Sequence, residues 1–470
     1  MRYFLYFFII FLISAQNFVQ AANIIYPNSE STTIDSDITF FIGNEKYGRN
    51  LTINSEPVKI HESGGFLHVV KLEPGQNNFK IKDNDSTMIY TIYRPDKKIS
   101  QSVQPLIYKN SISYVVVKNN IPLRSTPYDY GLNRLQHFYK GVQLNVIGES
   151  GNFYKVKLAR DDFGWINKAF VKKNDSNDIS AAKITSFSYD DIPPKNIYHI
   201  KLNKKVPYIL SERVSYNWNS DKTKLIPYFN GLDLVIYNVS GYPENKYEYF
   251  INGRNFPLKG YKSYYTADNE LIIELVKSQI STKEPLKGLI ITLDPGHGGK
   301  EYGTTGCLGN KEKDINLEFA LKLKKALENK GAIVFLTRND DSEVPLYDRV
   351  KISQNNHSDI FISIHNNALP DSSADKENLG TSVYYYSLIS KRLAQTLLNN
   401  LTGKLGMNND GLRQRSFAVL RNTESLCVLL ELGYLIKPED SVKLIDPKFQ
   451  NKAAEVITHS LEEYYSGIRE

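Results

Sequence analysis

Cysteine is almost missing from this chain. Cys307 and Cys427 are the only two in 470 residues, which excludes a disulfide framework and leaves packed cores to supply stability. Whether these two pair with each other stays open at this level. Long apolar runs are missing as well: after the first residues no stretch approaches the roughly 20 apolar positions that a spanning helix needs. Blocks of one charge are also absent. The net charge is +7, yet Lys and Arg are dispersed and accompany no nucleic-acid motif, so a nucleic-acid partner is not expected. The surplus suits an anionic neighbourhood or simply a solvated surface. Disorder is excluded by a hydrophobic share of 41% and an aromatic share of 12%, and the length leaves room for several domains of roughly 100–200 residues.

The chain begins MRYFLYFFIIFLISAQNFVQAAN. One positive charge at Arg2, an apolar run over residues 3–13 and the small-residue site Val19-Gln20-Ala21 read as a signal peptide over 1–21. The run is about half the length of a spanning helix, which disfavours a membrane anchor. An exported protein without a transmembrane segment after cleavage is the expectation, and a monomer is expected.

Residues 22–100 carry short alternating runs separated by turn signals, the pattern of an antiparallel β-sandwich. The string GRNLTINSEPVKIHESGGFLHVVKLEPGQNNFKI resembles bacterial immunoglobulin-like domains. Over 108–175 the strings NIPLRSTP, GVQLNVIGESGNFYKVKL and FGWINKAFV resemble a bacterial SH3-like domain. Its Tyr154 and Trp165 read equally well as barrel core or as a binding surface. Residues 180–276 alternate again and suggest a further β-rich domain whose ligand the sequence does not reveal, followed by a linker over 277–287.

From residue 288 to 470 the pattern changes. Strand candidates at 289–293, 332–337, 360–364, 380–386 and 426–430 alternate with helix candidates, which predicts an α/β domain after the all-β domains. Helix 313–329 would stack Ile315, Phe319, Leu323 and Leu327 on one stripe. Helix 447–465 opens on Asp446-Pro447, an N-cap with proline in the first turn.

In such sheets ligands collect beyond the carboxyl ends of the strands. His297, in LDPGHGG, comes just after the first strand; His365 follows 360–364; Glu431 closes the apolar run 426–430; Glu312 opens the first helix. Two imidazoles and a carboxylate are a ligand set for catalytic zinc. A carboxylate ending an apolar run must be paired or useful, and Glu431 suits a general base, although an ion pair with Arg413 or Arg415 would also account for it. Taken singly, each of these residues has an ordinary structural reading. His61, His68, His137, His199, His357 and His459 lack such context and receive no role.

LDPGHGG, EKDINL, the arginines Arg338 and Arg349, SDIFISIHNN, FAVLR and VLLELGYL follow one another in unbroken order over about 289–468. In that succession the chain resembles the zinc-dependent N-acetylmuramoyl-L-alanine amidases of the cell wall. The resemblance implies one zinc per catalytic domain held by His297, Glu312 and His365, with Glu431 as catalytic glutamate and the two arginines structural. It implies a peptidoglycan substrate, with glycan strands and stem peptides, cleavage between N-acetylmuramic acid and L-alanine in wall remodelling or daughter-cell separation, and a periplasmic, wall-associated or extracellular location. Thr304, Asn366 and Ile436-Lys437 depart from the family pattern and are expected to touch only the rim of the cleft. A zinc peptidase acting within the stem peptide and an inert wall-binding protein are the alternatives. The short stretch 366–379, NNALPDSSADKENL, offers no amphipathic stripe, so a solvated loop and an open site active without an activator protein are expected.

Overall fold

The structure, a computed structural model, describes residues 22–84, 86–96, 104–218, 222, 225–253, 258–278, 283–373 and 379–467. The signal-peptide reading of 1–21 and residues 374–378 of the stretch read as a loop lie outside them. Among the described residues no helix is long and apolar enough to cross a membrane. The chain divides into two compact units.

The first unit takes the residues up to Asp96 together with Cys307–Gly309 and Pro370–Asp375. It holds a three-stranded sheet, with Ile38–Asn44 between Asn23–Tyr26 and Gly65–Lys71, and a five-stranded sheet built on the antiparallel pair Gly75–Lys82 and Thr87–Arg94. Alternation decides which side chains enter its core: in Gly75–Lys82, Phe79 and Ile81 are buried while Lys80 and Lys82 are exposed. They pack with Phe41, Leu51, Phe66 and Ile92. Asp371 belongs to this unit and accepts hydrogen bonds from the Tyr26 hydroxyl at 2.9 Å and from Thr39 Oγ1 at 2.6 Å. The expectation of a solvated loop is thereby corrected at Asp371, whose carboxylate is engaged.

The second unit contains the rest. Its first sheet has seven strands, in which Ile121–Arg124, Phe163–Asn167, Phe153–Lys157 and Gln143–Ser150 are successive neighbours. Trp165 is buried there, and the Tyr154 hydroxyl lies 3.2 Å from that of half-buried Tyr114, which settles Trp165 as core. Residues 184–277 form a four-stranded and a three-stranded antiparallel sheet. One continuous core runs from Val116 to Tyr465, and Ser278 and Leu286, at the ends of the stretch read as a linker, are buried. Polar contacts follow the same course: Tyr261 N donates to the Thr423 carbonyl at 2.7 Å and the Thr423 hydroxyl donates to the Tyr261 carbonyl at 2.8 Å, while half-buried Glu212 accepts from the Tyr261 hydroxyl at 2.9 Å and is also bonded by Ser387. Cys307 and Cys427 are both buried thiols, with no disulfide between them.

The C-terminal sheet positions the site, and its elements are numbered here. They are β1 (Ile290–Pro295), α1 (Glu312–Glu328), β2 (Ile333–Leu336), α2 (Leu346–Asn355), β3 (Ile360–Asn367), β4 (Thr381–Tyr385), α3 (Lys391–Leu405), β5 (Asn409–Gln414), β6 (Leu426–Tyr434), α4 (Pro438–Ile445) and α5 (Pro447–Ser466). The sheet order is β2-β1-β3-β6-β4-β5; β1, β2, β3 and β6 run parallel, whereas β4 lies antiparallel to β6 and parallel to β5. Both faces are covered, so β3 and β6 read as nearly unbroken apolar runs. Ile362, Ile364, Val428 and Leu430 face one core, and Phe361, Cys427 and Leu429 another. In α1 the stripe Ile315, Phe319, Leu323 and Leu327 is buried, and Asp446 caps α5 by accepting from Lys448 N at 2.9 Å.

Candidate metal centre

His297, Glu312 and His365 meet at one point. Glu312 Oε1 lies 3.2 Å from His297 Nε2 and 3.0 Å from His365 Nδ1, and the imidazole rings stand 4.9 Å apart at 80°. One ligand atom from each residue falls within 4.8 Å of the other two.

Local sequence explains each placement. Gly296 follows β1 so closely against the site that a Cβ there would sit 2.2 Å from the His365 ring. His297 then takes a left-handed backbone conformation, φ 62°, a strained choice for a side chain with a Cβ that persists only where the surroundings enforce it. Gly303, also left-handed at φ +68°, leaves the space that a Cβ would take 2.4 Å from Glu312 Oε2 and 2.6 Å from the His297 ring. Glu312 stands in the first turn of α1, where the helix dipole favours a carboxylate.

Two arginines hold the loop after β1. Buried Arg338 donates to the carbonyls of Pro295 and Gly296 at 3.0 Å each and of Lys313 at 2.7 Å. Arg349 donates to the carbonyls of Pro295 and His297 at 2.9 Å each, and pairs with buried Asp294 at 2.7 Å. Asp294 also accepts from Thr337 at 2.6 Å and Ser363 at 2.7 Å. Its importance is invisible from sequence, because it is only one acid inside LDPGHGG.

Around Glu312 the expectation that Thr304 and Asn366 touch only the rim is corrected. Thr304 N donates to Glu312 Oε2 at 2.8 Å, and Asn366 N donates to Oε1 at 3.2 Å. The Asn366 amide also donates to Asn316 Oδ1 at 2.8 Å, and Asn316 reaches Glu312 Oε1 at 3.3 Å. Burial pushes the Glu312 carboxyl upward, but the hydrogen bonds of His297 and His365, followed by their charge, outweigh it and hold the group well below the usual carboxylate range. Three oxygen and nitrogen donors with their outer contacts in place are chemically a set that fits zinc.

Glu431 stands beside this cluster, in register with His365 across β3 and β6 and with Ser382 across β6 and β4. Burial, and then the negative charge of Glu312, raise its carboxyl well above the usual range. Its Oε2 is buried without a hydrogen-bond partner, and no ion pair with Arg413 or Arg415 forms. Arg413 pairs instead with Asp410, which also accepts from the Tyr434 hydroxyl at 2.7 Å. Both strands continue past the residues expected to end them, so His365 and Glu431 are strand residues and not loop residues.

In this sheet the His297 loop after β1, Glu312 at the start of α1 and His365 near the carboxyl end of β3 converge on one group able to hold a metal ion. Residues 291–463 match the family model described as N-acetylmuramoyl-L-alanine amidase. A probable cell wall amidase LytH from Staphylococcus epidermidis is 39% identical over 196 residues, which are 41% of this chain and 64% of the relative; its counterpart in Staphylococcus aureus is 38% identical over 197 residues, again 41% and 64%. The chain thus spans 64% of the length of these curated relatives. The catalytic domain of CwlV, an N-acetylmuramoyl-L-alanine amidase from Bacillus (Paenibacillus) polymyxa var. colistinus, is similar at 35% identity over 37% of this chain and 97% of that one, with a TM-score of 0.35. An N-acetylmuramoyl-L-alanine amidase from Clostridium difficile 630 is similar at 32% identity over 38% and 97%, with a TM-score of 0.36.

Proposed function

We propose that the chain is an exported peptidoglycan amidase that hydrolyses the amide between N-acetylmuramic acid and L-alanine of the stem peptide. The observation that carries this reading is the convergence of His297, Glu312 and His365 with the unpaired Glu431 oxygen beside them. His297, Glu312 and His365 would hold one zinc ion, which when bound supplies Lewis-acid polarisation of the scissile carbonyl and acidifies water. Glu431 accepts the proton of the attacking water and returns it to the leaving amine as the carbon–nitrogen bond breaks. Arg338 and Arg349 keep the His297 loop in place through its carbonyls, so little reorganisation is left for the reaction itself.

The upstream regions are read as an immunoglobulin-like domain over 22–100, an SH3-like domain over 108–175 and a β-rich domain over 180–276, placing the amidase domain of 288–470 on the wall. The β-only architecture and the dispersed positive charge support that reading. Incubation with purified peptidoglycan, followed by mass spectrometry, tests the function: free stem peptides beginning at L-alanine are expected, and products cut elsewhere in the peptide would assign a peptidase.

A further inference from the structure

Outside the metal-type cluster, the second unit brings Arg134 next to Arg421, which lines a cavity. Arg134, from strand Arg134–Phe138, donates to Ser416 Oγ at 3.1 Å, and Arg421 donates to the carbonyl of the same Ser416 at 2.7 Å. Two guanidinium groups therefore rest on a single residue. A third, buried Arg124, is ion-paired with Asp129 and donates to Asn133 at 2.8 Å, so its charge is answered locally. Among the described residues, no carboxylate comes within ion-pair range of Arg134 or Arg421: their remaining partners are the Gly131 carbonyl and the Tyr347 hydroxyl.

The cavity beside them holds about 380 Å³ and is lined by Arg421, His137, Tyr347, Tyr386 and Gln136 among others. Of the other charges at its wall, Lys351 pairs with Asp348 at 2.8 Å and Lys262 with Glu274 at 3.4 Å, and the Glu424 carboxylate accepts from the neutral Gln354 amide at 2.8 Å. Of the cations at or beside this wall, Arg134 and Arg421 are the two without an ion pair among the described residues. Half-buried like charges held together without a counter-charge are unfavourable unless something compensates them. Burial, then the charges of Arg134, Arg421 and Arg124, push His137 down to about 4, so no further proton is taken up there.

We propose that Arg134 and Arg421 form a binding site for an oxyanion, a phosphate or carboxylate group, carried by a ligand that enters this cavity against Tyr347 and Tyr386. Planar guanidinium forks match such groups through paired charge-assisted hydrogen bonds. Tyr386 and Ser416 follow β4 and β5, which run against β1, β3 and β6, so this site lies at the amino ends of those strands, opposite the carboxyl ends that carry His297 and His365. It does not depend on the hydrolytic reading.

Titration calorimetry and thermal melting of the full chain at constant ionic strength, with inorganic phosphate in one arm and acetate in the other, test it. Saturable binding and a rise in Tm are expected in at least one arm, retained in His365→Ala, which separates this site from the metal cluster. Preference for phosphate assigns a phosphate-bearing ligand; preference for acetate assigns a carboxylate. Arg421→Gln and Arg134→Gln should each weaken binding by about tenfold or more, and Arg421→Lys, which keeps the charge without the fork, by less. No saturable binding of either anion to the unaltered protein, or equal binding by a folded Gln variant, overturns the proposal.

Discussion

Glu312 Oε1 stands 3.0 Å from His365 Nδ1 although 53 residues of chain separate the two. The same oxygen is 3.2 Å from His297 Nε2, so one carboxylate joins α1 to β3 and to the loop after β1. A metal held there ties those elements together in the folded state only, and its binding is linked to folding. Zinc at about 100 times its Kd should stabilise the chain by roughly 2.7 kcal/mol, read as a rise in Tm that a chelator reverses. His365→Ala should abolish the zinc-dependent shift and the hydrolytic activity together. An unchanged shift in that variant would remove His365 from the ligand set.

Glu431→Gln keeps the shape of the side chain and removes the base. Zinc content should stay at the native level, while hydrolysis of a defined muropeptide slows by about 10²–10⁴-fold. Near-native turnover would transfer the proton-accepting role to another group.

Gly303→Ala places a methyl group where Glu312 Oε2 and the His297 ring already are, on a backbone at φ +68°. Left-handed strain alone costs about 1–3 kcal/mol. Zinc affinity should fall at least tenfold, measured by competition with a chromophoric chelator, and denaturant unfolding should show the loss of stability. Gly309→Ala, at φ +86° with nothing within 4 Å, supplies the control: strain without intrusion, and zinc affinity retained.

Arg349→Met removes the partner of Asp294, a carboxylate that is 1% exposed. Leaving one member of a buried pair unanswered costs about 3–5 kcal/mol, and the His297 carbonyl loses its donor as well. A drop of that size in unfolding free energy, accompanied by weaker metal binding, is expected. If stability fell while metal affinity held, Arg349 would support the sheet and not the loop.

His137 supplies a pH test. Its folded value of about 4 lies below the ordinary 6.5, first through burial and then through the neighbouring arginines. Between those values the unfolded chain binds a proton that the folded chain refuses, so this residue's contribution is full above about pH 6.5 and is lost as pH falls toward 4. The shift corresponds to roughly 3 kcal/mol at most. Stability measured from pH 7 to 4 should fall more steeply in the native chain than in His137→Gln, and parallel curves would contradict this account.

Much of the C-terminal region is legible before folding is considered. The buried stripe of α1 and the Asp446-Pro447 start of α5 are local patterns, and both are observed. His297, His365 and Glu431 stand out because polar groups at the ends of apolar strands are conspicuous, and Glu312 because it opens a helix. The supports are not. Asp294, Asn316 and Arg338 act through contacts between segments tens of residues apart, which no spacing encodes. The joint between the β-rich regions and the C-terminal region is hidden for the same reason: Glu212 looks like an ordinary strand acid until Tyr261 and Ser387 are found around it. β5 went unread because Asn409–Gln414 has almost no apolar content and takes its place by pairing with β4.

The pairing of His365 with Glu431 across β3 and β6 fixes how the gene for this chain can change length. Side chains on a strand alternate faces, so losing or gaining one residue within 360–365 or 426–431 would turn His365 or Glu431 away from the cluster and present a neighbouring side chain there instead. The two strands work as a frame with no tolerance for insertions. Changes in length are admissible only where no alternation must be kept, in the connections that follow β3 and precede β6.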